Sequence, residues 1–252
     1  MCKRANEYQK WAINLLVNIL NDTNLNSKQH LSDHGYKYSL KNGVVCHYAS
    51  MYWNGEEYIN MWQTNFNSKR YKGAEKPLLM SKRAYEIITK IKDVNDETQF
   101  RDKENRNKPL LHWEHITPNG YVYKKLLLLS KEKILKKDVE NCFRHHKIVL
   151  LSKEESSKLD GKGESFTEDD KKTLQIWQHK LNKDFKEDIE SLSDEKGFLK
   201  CKNYGSGLAR IAHLWNEGVR FKKFEGENIV DYDIEKIFEY LEDKDFTYTK
   251  EV

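Results

Sequence analysis

Proline is scarce, with three residues in 252, too few for a Pro-rich linker between two modules. The four cysteines, Cys2, Cys46, Cys142 and Cys201, stand far apart with no Cys-x-x-Cys pair. That spacing excludes a disulfide framework and a zinc knuckle, and reduced thiols in a cytoplasmic protein are expected. No apolar run nears the roughly 20 residues of a membrane helix. The opening "MCKRANEYQKWAINLLVNIL" is basic and then apolar, but Asn14 and Asn18 interrupt it and no small-residue cleavage site follows. No membrane partner is expected. Charge of one sign is also lacking in excess: a net charge of +4 permits an anionic partner without demanding one.

Aromatics make up 12% of the chain and hydrophobic residues 38%, enough bulk to build a core and to argue against disorder. Trp11, Leu15 and Ile19, with Leu16 and Leu20, keep helical spacing. "KNGVVCHYASMYW" fits either a turn plus strand or the opening of a helix, and the aromatics Tyr48, Tyr52, Trp53, Tyr58, Trp62 and Phe66 are assigned to the core. Ser81 is placed to cap a helix whose stripe is Ala84, Ile87, Ile88 and Ile91. "KDVNDETQFRDKENRNK" has no apolar period and reads as an exposed loop. "KIVLLS" reads as a short buried strand, followed by a Ser152/Glu155 capping box. Thr167 with Asp170 starts a helix expected to reach Leu192. Leu208, Ile211, Ala212 and Trp215 mark another, closed by Gly218, and Ile234, Ile237, Phe238 and Leu241 mark the last. The expectation is an α+β fold: a mostly helical single domain over residues 1–252 with a small central sheet. It divides into an N-terminal helical part, 1–108, and a core, 109–252.

The most informative stretch is "LLHWEHITPNGYVYKKLLLL", residues 110–129. In a strand Leu111, Trp113 and His115 share one face, and His112 and Glu114 the other. Pro118 cannot continue a sheet ladder and Asn119-Gly120 supplies a turn, so a hairpin with a second strand is expected. His115 then stands at a strand end, held rigidly and exposed. Downstream, "ENCFRHHK" puts Asn141 and His145 four apart, on one face of a helix.

These two segments resemble the halves of the ββα-metal (HNH) nuclease motif. The resemblance implies that His115 is the general base, that Glu114 and His145 hold a divalent metal such as Mg²⁺, and that Asn141 orients the base. His146 is an equivalent candidate to His145. One metal stabilises the charge developing on a phosphate while a neutral imidazole removes a proton. The alternative for the same residues is a strand ending in a Pro turn, with His115 satisfied by a backbone carbonyl and the later histidines marking a helix C-terminus. A wider pattern, "LMSKRAYEII", "WEHITP", "KIVLLSKEESSKL" and "LARIAHLWNEGV", is similar to one in uncharacterised bacterial proteins with a Glu-His-x-x-Pro box; it names no chemistry.

Other constellations are weaker. His30 and His34 have a zinc-compatible spacing but no third ligand nearby. In "NYGSGLARIAHLWNE" glycines and Ser206 stand at a helix start, where free N–H groups suit a phosphate, but the stretch is too short for a nucleotide fingerprint. His213 and Glu217, one turn apart, read as a surface pair, or as part of a site with Arg210 against Glu114-His115 if those segments meet. Basic clusters at Lys69-Arg70-Lys72, Lys82-Arg83 and Arg220-Lys222-Lys223 flank Tyr71, Tyr85, Phe221 and Phe224, a combination suited to phosphate contacts and base stacking. The functional reading is a nucleic-acid-cleaving enzyme of restriction or phage-defence type. It would hydrolyse a phosphodiester or excise a base, with DNA preferred over RNA and a homodimer possible. The alternative is a non-catalytic nucleic-acid-binding or protein-interaction module.

Overall fold

The computed structural model describes residues 3–22, 37–53, 58–60, 79–93, 96–105, 108–129, 133–160, 166–181, 207–225 and 228–242. Helix α1 (Lys3–Asn21) buries Ala12, Ile13, Leu16 and Leu20. Trp11 belongs to the expected stripe but is 53% exposed and lies against Tyr8, because the Ile13-Leu16-Leu20 edge is the one that meets other helices. Both readings of the next segment hold in part. Ser39–Val45 form a π-helical turn, Cys46–Ser50 a short α2, and Met51–Trp53 a strand β1 antiparallel to β2 (Tyr58–Asn60). Trp62, Phe66, His30 and His34 lie outside the described residues.

The central sheet has five strands, in the order β4 (Leu111–His115), β5 (Ile148–Ser152), β3 (Met80–Ser81), β6 (Phe221–Glu225), β7 (Asn228–Tyr232). β3 runs parallel to β5, and the other neighbours are antiparallel. β3 comes from the part expected to be only helical, so residues on both sides of 108 build one sheet. One face carries Met80, Leu111, Trp113, Ile148 and Leu150, covered by α3 (Lys82–Thr89) through Ala84. Phe100, from the expected loop, is buried there too, at the end of a 3₁₀ turn that its own bulk anchors. The other face carries Leu79, Val149, Leu151 and Phe221, under α8 (Gly207–Asn216) and α9 (Ile234–Glu242). Burying each such side chain contributes about 1.5–3 kcal/mol. The fold is therefore α+β, with more helix than strand.

A third cluster joins Ile13, Leu16 and Val45 to Val122, Leu126 and Val139. It explains the main departure from expectation. Residues 119–128 are not a second hairpin strand but helix α4 (Asn119–Leu128), with Pro118 as its N-cap at φ −61°. The Pro118 carbonyl accepts from Tyr121 N and Val122 N, opening a helix instead of a turn. As a helix, the segment packs on the π-helical turn and on α5 (Lys136–Cys142), and its Val122 and Leu126 join the cluster that α1 completes. Helix α5 closes the same layer, and Phe143 caps it.

Local signals predicted several helix starts. Ser81 Oγ accepts from Ala84 N at 3.0 Å. Ser152 and Glu155 form a capping box at the start of α6 (Lys153–Ser157). Thr167 and Asp170 bond reciprocally at the start of α7 (Glu168–Leu181); residues 182–192 of the expected helix lie outside the described residues. Gly218, at φ 83°, takes the left-handed turn that ends α8. No described helix is long and apolar enough to cross a membrane.

Candidate functional site

β4 is an edge strand, and its pleat turns His112 and Glu114 towards α6 and α8. Glu114 is 9% exposed. Its Oε1 accepts from Arg210 Nη2 at 2.9 Å, and its Oε2 accepts from Ser156 Oγ at 3.0 Å and lies 3.4 Å from His112 Nε2. Burial alone would raise the pKa of this carboxyl. The guanidinium beside it, with His112 and Ser156, overrides that effect and holds it at about 2. Arg210 is itself 3% exposed and donates a second, longer bond to the His115 carbonyl at 3.4 Å. The segments carrying Arg210 and Glu114 do meet, as the sharper reading of Arg210 required. They meet as a buried ion pair that locks α8 onto the sheet.

His115 differs from expectation. It is 3% exposed, and its Nε2 lies 3.1 Å from the Cys46 carbonyl. The strand end is roofed by the π-helical layer at residues 39–46, so His115 meets protein where the hairpin reading placed solvent. His146 lies beside it, ring centroids 5.3 Å apart, with Nδ1 2.9 Å from the Thr117 carbonyl and Nε2 3.0 Å from the Val45 carbonyl. Burial pushes the His115 imidazole down to about 3, reinforced by His146, and burial pushes His146 down to about 4. Both rings are neutral at pH 7.

The remaining members of the expected constellation are dispersed. α5 stops at Cys142, so Asn141 and His145 do not share a helical face. Asn141 is exposed, while His145 is buried in the following turn at φ 62°, where its carbonyl accepts from Thr117 Oγ1 at 2.7 Å. Glu114, which the nuclease resemblance assigns to a divalent metal, gives both carboxylate oxygens to protein partners. Glu114 Oε1 is engaged by Arg210, and Oε2 by Ser156 and His112.

The predicted surface pair His213/Glu217 also separates. His213 is buried with Nδ1 3.0 Å from Asp170 Oδ2, tying α8 to α7, and Asn216 donates to the other oxygen of Asp170 at 2.9 Å. Glu217 pairs instead with Lys158 at 3.6 Å. Asp170 was legible as a cap residue, but its second role towards His213 left no local signal. The same holds for Ser156 and Glu114.

Two of the three basic clusters meet in part. Lys82 N donates to the Arg220 carbonyl at 2.7 Å, so the start of α3 and the start of β6 form one rim. Lys82, Arg83 and Arg220 are exposed there. Arg83 pairs with Glu154 at 2.6 Å, and Lys222 with Asp231 at 2.6 Å. Arg220 meets no carboxylate among the described residues; its guanidinium lies 4.2 Å from the Trp215 ring centroid. Lys222 lies 5.7 Å from the Tyr85 centroid, and Lys223 lies 5.4 Å from Tyr232 and 5.0 Å from Tyr240. Lys69 and Arg70 fall outside the described residues.

No family model, curated protein or solved structure matches this chain. The site's own geometry therefore carries the functional argument.

Proposed function

We propose that this protein binds nucleic acid, with DNA as the first ligand, through the rim formed by Lys82, Arg83, Arg220 and Lys222; Lys223 lies on the other face of the sheet, against Tyr232 and Tyr240. The observation that supports it is the β3–β6 pairing, which sets basic residues from two distant segments side by side. A chain with a net charge of only +4 has no general cationic field, so local concentration of cations is what would hold phosphates. Cytoplasmic residence fits the buried thiols of Cys46 and Cys142. Fluorescence anisotropy with labelled DNA tests the reading: Lys82→Glu with Arg220→Glu should abolish binding while the melting temperature holds. Unchanged binding by that variant would sink it.

Cleavage of a phosphodiester, in the manner of restriction or phage defence, is a second proposal, and one observation favours it. His112 sits on the edge strand, 29% exposed, with the Glu114 carboxylate 3.4 Å from Nε2. A solvent-reaching imidazole beside a fixed carboxylate is the pairing used in general acid–base chemistry. His112, not His115, is then the base. Plasmid nicking with and without Mg²⁺ should be lost in His112→Ala. A His112→Ala protein that nicks like the wild type, or a wild type that never nicks, would remove this proposal and leave the binding one standing.

A further inference from the structure

We infer that the basic rim and the His112–Glu114 pair are two ends of one site, and that a bound DNA backbone runs between them across α6. This rests on the nucleic-acid reading and extends its footprint. The strand registers set the geometry. His112 pairs with Leu151, and Leu150 with Met80, which brings Ser81 level with Leu151; Ser81 pairs in turn with Phe221. The last residues of β3 and β5 and the first residues of β4 and β6 therefore share one end of the sheet. Lys82 follows Ser81 and Arg220 precedes Phe221, so both stand at this end with His112. Three strand spacings separate β4 from β6, roughly 14 Å. One strand of a duplex covers that distance with about four nucleotides, at about 3.4 Å each.

Helix α6 lies between the two ends and is bonded to both. Its Glu155 carboxylate accepts from Ser152 N at 3.0 Å and from Ser81 Oγ, the cap of α3. Its Ser156 hydroxyl donates to Glu114 Oε2 at 3.0 Å, and that oxygen lies 3.4 Å from His112 Nε2. Glu155 and Ser156 are both buried, so one short helix fixes the rim and the pair relative to each other. The carboxylates at this end are each matched by a cation: Glu154 by Arg83 at 2.6 Å, Asp160 by Lys153 at 3.9 Å and Glu217 by Lys158 at 3.6 Å. Exposed pairs of this kind hold weakly, so a phosphate can take Arg83 from Glu154. Arg220, which meets no carboxylate among the described residues, anchors the backbone at the rim. At the other end His112 is 29% exposed with Glu114 behind it, a ring that a phosphate oxygen reaches from solvent.

The experiment follows carbethoxylation of His112 by diethyl pyrocarbonate, read by mass spectrometry with and without a saturating DNA duplex. Bound duplex should suppress modification of His112, and the Lys82→Glu/Arg220→Glu protein mixed with the same duplex should react as if DNA were absent. In the anisotropy assay His112→Glu should weaken binding by about fivefold or more. Lys136→Gln makes the same change of charge on α5, which leads to the opposite end of β5, and should weaken binding less than about twofold, because charges beyond a Debye length of about 10 Å are screened. A duplex that binds through the rim and leaves His112 fully reactive overturns the inference alone, as does wild-type affinity in a folded His112→Glu protein. A wild type that binds no duplex overturns the nucleic-acid reading with it. The protection measurement needs no change at His112 and decides the matter even where that variant does not fold.

Discussion

Replacing Arg210 by Ala strips the buried Glu114 carboxylate of its counter-charge. The carboxyl's fall from its ordinary value of 4.5 to about 2 corresponds to on the order of 3 kcal/mol of native-state preference for the ionised form. Removing one member of a buried pair typically costs about 3–5 kcal/mol, because the remaining charge is left desolvated. Arg210→Ala should therefore lose about that much stability in urea denaturation at pH 7. Glu114→Leu with Arg210→Met should recover most of it, since two apolar groups leave no orphan charge. The pH dependence has a defined sign. A carboxyl with a depressed folded pKa contributes stability that is complete above its unfolded value and is lost as pH falls through the folded one. The wild type should weaken between about pH 4.5 and 2 through this group, and Arg210→Ala should lose that component of the slope. A loss below about 1 kcal/mol in Arg210→Ala would refute the reasoning and show the pair to be solvated.

His115 and His146 should give a second, separate acid limb. Their folded pKa values lie below 6.5, so the unfolded chain binds more protons and stability falls as pH drops from about 6.5 towards 4; a double His→Phe variant should flatten that limb in thermal melts. His146→Ala should cost about 1–3 kcal/mol at pH 7, because the neutral ring's single N–H donates to one of the carbonyls of Val45 and Thr117, and that carbonyl loses its donor; a loss below about 0.5 kcal/mol would contradict the contact between the π-helical layer and the sheet. Gly207→Ala places a Cβ 2.5 Å from Thr117 Oγ1 and 3.1 Å from the His145 carbonyl, so a destabilisation of about 1–3 kcal/mol is expected from denaturant midpoints.

What could be seen in the sequence was local. Ser81, Ser152 and Thr167 start helices through bonds to residues three positions away, and alternation within 111–115 assigns the faces of β4 correctly. The α+β class with a small sheet follows from such segments. What could not be seen depends on distant partners. Residues 119–128 carry an apolar run that suits either strand or helix, and only packing against the distant π-helical turn and α5 selects the helix. Glu114 and His115 are adjacent, so a short motif treats them as one site. The fold sends them to opposite faces, one to Arg210 and the other to Cys46, and burial removes His115 from solvent. The histidines at 145 and 146 looked interchangeable, yet a single left-handed residue separates a carbonyl-bridging ring from its neighbour. The basic residues were legible as clusters, but the register that joins Lys82 to Arg220 was not.

The proposal that Lys82, Arg83 and Arg220, where the start of α3 meets the start of β6, hold a phosphate backbone is tested most directly by the salt dependence of DNA binding. The slope of log affinity against log salt falls by about 0.9 for each phosphate contact removed from a duplex. Neutralising Lys82, Arg83 and Arg220 to Gln should therefore reduce the magnitude of the wild-type slope by about 2–3 and weaken binding uniformly across sequences. A wild-type affinity insensitive to salt, or a slope unchanged in the triple variant, would contradict the account.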